Sequence, residues 1–80
     1  MKIRMRDGLE FEGTATEIVQ GMKSLAFNAE HLSLGAYVDS VAANALKFEG
    51  ISLDVAGSDD AAKAAALVRA MIDNGLAGDV

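Results

Sequence analysis

The sequence predicts an α+β fold in the order ββααβα, with a small three-stranded sheet covered on one face by three helices. Three observations predict it. An apolar–charged alternation around Asp7-Gly8 opens the chain. Three later stretches carry apolar residues at helical spacing, each behind a residue suited to cap a helix. A second alternation, at Ile51, Leu53 and Val55, lies between the second and third of these stretches.

In the opening stretch Ile3, Met5, Leu9 and Phe11 alternate with Lys2, Arg4, Glu10 and Glu12, which is the period of a half-buried hairpin. A two-residue Asp7-Gly8 loop pairs Arg4 with Phe11 and mixes charge into the apolar face. A three-residue loop, Arg6-Asp7-Gly8, places Gly8 at the left-handed position of a type I turn with a G1 bulge. That register sets Met5 against Leu9 and Ile3 against Phe11 on one face, and Arg4 against Glu10 and Lys2 against Glu12 on the other. A slip of one residue turns every apolar side chain outward, so the second register is expected.

Gly13 ends the hairpin, and Thr14-Ala15-Thr16-Glu17 has the form of a capping box. Ala15, Ile18, Val19, Met22, Leu25, Ala26 and Ala29 fall on one face of the helix that follows. Phe27 falls off that stripe; an early helix end that tucks it under the loop of residues 28–33 accounts for it. Ser33 is the expected cap of a second helix with the stripe Leu34, Tyr37, Val38, Val41, Ala45 and Phe48, closed by Gly50. Residues 51–55 read as the third strand, pairing beside either the first or the second. Ser58 is the expected cap of the last helix, with Asp59 and Asp60 at its positive end. Its core face is Ala61, Ala64, Leu67, Val68, Met71 and Ile72, and Gly75 ends it. Residues 77–80 are expected to fray.

Eighty residues suffice for one domain, taken as 1–80, which buries about 60% of the surface its unfolded chain exposes. The absence of cysteine excludes disulfides, thiolate nucleophiles and thiolate-bound zinc. The charged start lacks a signal core, and no apolar run approaches the roughly 20 residues a membrane span needs. A cytoplasmic protein is expected. The net charge of −5 opposes general nucleic-acid binding.

No catalytic, cofactor or metal group assembles from the pattern. The glycines stand singly, without dinucleotide or Walker spacing. His31 is the only histidine; with Glu30 and Ser33 nearby it is the one candidate base, but no glycine-rich turn adjoins Ser33 to form an oxyanion hole. Asp54, Asp59 and Asp60 read as turn and capping residues rather than cation ligands. Lys2, Arg4 and Arg6 form a basic row without interleaved aromatics, opposed by Glu10 and Glu12.

Surfaces remain. Phe27, His31, Leu32 and Tyr37 gather around the 28–33 loop. Ala62, Ala66 and Ala70 line the outer side of the last helix, where small side chains let another helix approach. The sequence therefore favours a non-catalytic protein-interaction module, binding an unidentified protein or itself. Two alternatives stand beside it: a small enzyme or ligand-binding domain centred on the His31 loop, and weak nucleic-acid contact through Lys2, Arg4 and Arg6.

Overall fold

The hairpin forms in the register its faces require. In the computed structural model, which describes all 80 residues, β1 (Lys2–Met5) and β2 (Glu10–Glu12) are antiparallel, with Lys2 opposite Glu12, Ile3 opposite Phe11 and Arg4 opposite Glu10. The Gly8 amide donates to the Met5 carbonyl at 3.0 Å and the Met5 amide to the Leu9 carbonyl at 2.7 Å. Gly8 stands at φ +95°, in the region that a side chain disfavours.

Helix α1 (Ala15–Leu25) starts at the capping box: the Thr14 hydroxyl accepts the Glu17 amide and the Glu17 carboxylate accepts the Thr14 amide. It buries Ile18, Val19 and Met22. Gly21 lies against the Phe11 ring, so closely that a Cβ there stands 3.1 Å from Cδ1. This missing side chain seats α1 on β2. Leu25, expected in the core, is exposed, because the helix ends there and the chain turns away through Asn28 at φ 61°.

Helix α2 (Leu34–Asn44) is capped by Ser33, whose hydroxyl accepts the Ala36 amide. It packs on α1 and α3 rather than on the strands. At Ala45 the winding widens into a π-helical turn, Ala45–Glu49, closed by Gly50 at φ 68°. Phe48, expected on the buried stripe, is 73% exposed. The wider i→i+5 turn shifts the helical phase and carries the ring off the core side.

Helix α3 (Asp60–Asp73) is capped by Asp59 rather than by Ser58, with its carboxylate accepting the Ala62 amide at 2.8 Å. Ala64, Leu67, Val68, Ala70 and Met71 are buried, whereas Ala61, expected in the core, faces solvent. The helix ends in a Schellman pair: Leu76 N–H to the Met71 carbonyl, and Gly75 N–H to Ile72.

The α+β class and the three-stranded sheet hold, but the third strand comes last. β3 (Ala77–Asp79) lies antiparallel to β1, with Met5 opposite Ala77, Arg4 opposite Gly78 and Ile3 opposite Asp79. The order across the sheet is β2-β1-β3. Residues 77–80 are therefore paired rather than frayed, and the Val80 amide still donates to the Lys2 carbonyl. Residues 51–57 adopt no regular structure. Their alternation is real, since Leu53 is buried with Ile51 and Val55 half-buried, while Ser52 and Asp54 face water. It reports burial on one side only. The place beside β1 is taken by β3, and this segment lies along α3 without a ladder.

Helices α1 and α3 lie on β2 and β3 respectively and pack against each other. Ile3, Val19, Val38, Leu67 and Val68 are almost wholly enclosed between these layers. No helix is long and apolar enough to cross a membrane.

Candidate functional site: an apolar groove at the open end of the helices

One apolar groove, of about 450 Å³, opens where the hairpin turn, the end of α2, its π-helical extension and the end of α3 meet. Met5 reaches it from β1, Met22 from α1, Tyr37 and Val41 from α2, and Met71 from α3. Phe48 and Glu49 stand on the π turn, and Leu76 on the link to β3.

Each wall follows from local structure. The capping box fixes the phase of α1, so Met22 faces inward one turn beyond Ile18 and Val19. The Schellman ending turns the chain after α3 and leaves Leu76 half-buried beside Met71. The π turn carries Phe48 to the rim, where the Lys47 ammonium lies 5.3 Å from the centre of its ring. An ion pair spans the mouth, from Arg6 in the hairpin turn to Glu49 on the π turn at 2.5 Å.

Tyr37 brings a hydroxyl to this groove, beside the charged Arg6, Asp7 and Glu49. It is 7% exposed, and its hydroxyl makes no hydrogen bond within the chain. Burial pushes its pKa above the ordinary value, so the phenol stays protonated and able to donate. Asn44, at the edge, also has an unbonded side-chain amide.

The residues singled out from sequence are scattered by the fold. Phe27 is 99% exposed and stands alone; it neither folds under the loop nor joins Leu32 and Tyr37. Leu32 is half-buried on the core and lines a separate hollow of about 480 Å³, of mixed polarity, with Gln20, Lys23 and Glu30. Tyr37 belongs to the core and the groove instead. His31 is exposed and has neither a hydrogen bond nor an ion pair, and the Ser33 hydroxyl is engaged in capping α2.

The alanine row is not an open face. Ala62 and Ala66 are half-buried and Ala70 is buried. The chain meets this row: a Cβ on Gly57 stands 2.7 Å from the Lys63 nitrogen and 2.9 Å from the Ala62 Cβ, and Ala66 and Ala70 line a hollow with Asp54 and Ala56. The small side chains do permit close approach, and the segment before α3 makes it.

The basic row is likewise spent within the chain. Arg4 and Lys2 both pair with Glu10, at 2.6 and 3.4 Å, and Arg6 leaves the row for Glu49. The Arg4 hydrogen bond, followed by that of Lys2, holds the Glu10 carboxyl below its ordinary pKa. No group of three or more His, Cys, Asp or Glu side chains is arranged to hold a metal.

Every apolar wall of the groove except Leu76 was legible as a core or strand residue, and only Tyr37 among them was also singled out as a surface residue. Three of the four methionines, Met5, Met22 and Met71, meet there. That convergence of flexible thioethers is the one signal in the residue types, and only the fold discloses it. Compared with protein families, curated proteins and solved structures, the chain matches none.

Proposed function

We propose that this protein is a small, non-catalytic protein-interaction module that receives an apolar segment of its partner in the groove between the hairpin turn and the π turn. One observation carries the reading: a large aromatic side chain, Phe48, stands exposed on the rim of a methionine-lined apolar groove. An exposed apolar group beside an apolar concavity, rimmed by charge, is the usual form of an interaction site. Methionines let such a surface adapt to the side chain it receives. The π turn that places Phe48 there is a costly local geometry of the kind that recurs at functional sites.

Phe27 is the competing surface, and the two are separable. A photoreactive benzoylphenylalanine at position 48, irradiated in a lysate of the cells that make the protein, is expected to give a discrete cross-linked species. The same group at position 27 is expected to give none. The mass of the adduct distinguishes a second copy of this chain from another protein. Cross-linking at position 27 with none at 48 contradicts the assignment to the groove.

A further inference from the structure

We propose that the groove also binds a small, uncharged, mainly apolar molecule bearing one carbonyl-type acceptor, which takes the hydrogen bond of the Tyr37 hydroxyl. A buried tyrosine ordinarily satisfies its O–H. Here the residue is 7% exposed, yet the hydroxyl has no partner in the chain. It is not sealed in the interior either, since no enclosed side-chain polar atom lacks a partner. It therefore keeps contact with the outside, and Tyr37 is one of the residues that line the groove. A ligand acceptor seated there takes the place of the water that an accessible hydroxyl otherwise bonds.

Size and charge narrow the class. A concavity of about 450 Å³ lies within the range of roughly 300–1,000 Å³ that small ligands occupy. Met5, Met22, Val41, Met71 and Leu76 offer contact to an apolar body but no hydrogen bond. Among the lining residues the one cation, Arg6, is held by Glu49 at 2.5 Å, and Asp7 adds a second carboxylate, while Lys47 at the rim lies over the Phe48 ring. The net charge of −5 opposes an anion further. An uncharged molecule escapes both penalties. This inference needs no partner protein, and its failure leaves the cross-linking result at position 48 unaffected.

The test uses the whole protein with isotopically labelled methionine methyl groups. Met5, Met22 and Met71 report on the groove, and Met1, which lies outside it, serves as internal reference. Acetophenone is titrated against ethylbenzene, which keeps the ring and nearly the shape but lacks the carbonyl. Acetophenone is expected to shift the three groove methyls and not Met1, and to bind roughly fivefold tighter than ethylbenzene. In Tyr37→Phe, with its melting temperature unchanged, that preference should vanish. Absence of shifts at the groove methyls overturns the proposal. So does equal affinity of the wild type for both probes, or a preference that survives in Tyr37→Phe.

Discussion

Gly8 holds its positive φ at the only position of the hairpin turn where the bulged register demands one. A Cβ there meets no atom within 4 Å, so the obstacle to substitution is the backbone conformation alone. Gly8→Val is expected to lower stability by about 1–3 kcal/mol, with Gly8→Asn costing much less, since asparagine tolerates this region. Chemical denaturation of the three proteins checks it; equal losses for Val and Asn refute the conformational argument. At Glu17 the Thr14 backbone hydrogen bond holds the carboxyl pKa below its ordinary 4.5. The folded value lies below the unfolded one, so this stabilisation is complete above pH 4.5 and fades as pH falls through the folded value. The melting-temperature gap between wild type and Glu17→Gln should therefore close as acid is added below that point. A gap independent of pH across this window contradicts the capping role of the charged form. Both residues were legible in the sequence, because turn chemistry and capping are local. Leu25 and Phe48 were not: their exposure depends on where a helix stops or changes winding.

The element most open to misreading was the stretch 51–57. Ile51, Leu53 and Val55 alternate as a strand does, and the burial follows that alternation. Burial on one side requires only a surface to lie on, whereas a strand also requires a ladder of backbone hydrogen bonds with a neighbour. The place beside β1 goes to β3, with Ala77, Gly78 and Asp79, residues of low strand propensity that gave no periodic signal. The segment instead presses its glycine onto α3. Gly57→Ala brings a Cβ to 2.7 Å from the Lys63 nitrogen, a backbone atom that cannot yield cheaply. The substitution should cost about 1–3 kcal/mol. Gly78→Ala, whose Cβ enters open space, should stay within about 0.5 kcal/mol. Urea midpoints of the two variants decide this, and equal midpoints would show that the segment does not rest on α3 as described.

Across the whole molecule, the sheet places Ile3 between two antiparallel neighbours, and α1 and α3 close over it while α2 lies across both. The chain thereby brings its first turn, at Arg6 and Asp7, beside the π turn at Phe48 and Glu49 and the link at Leu76. These segments are distant in sequence, so their convergence depends on how the elements pack and could not be read from spacing. The sequence did expose what the groove is made from, since Met5, Met22, Tyr37, Val41, Phe48 and Met71 all stood on apolar stripes. Of the surface residues anticipated from sequence, Tyr37 lines the groove, away from Phe27, and the segment before α3 lies against Ala62. The central claim is that the partner enters the groove past Phe48. Its most direct test is parallel affinity capture with wild type and Phe48→Asp. Phe48 is largely exposed, so the variant should fold with a melting temperature close to that of wild type. Proteins retained by wild type and lost from the folded variant are the predicted result; the same proteins retained by both would contradict it.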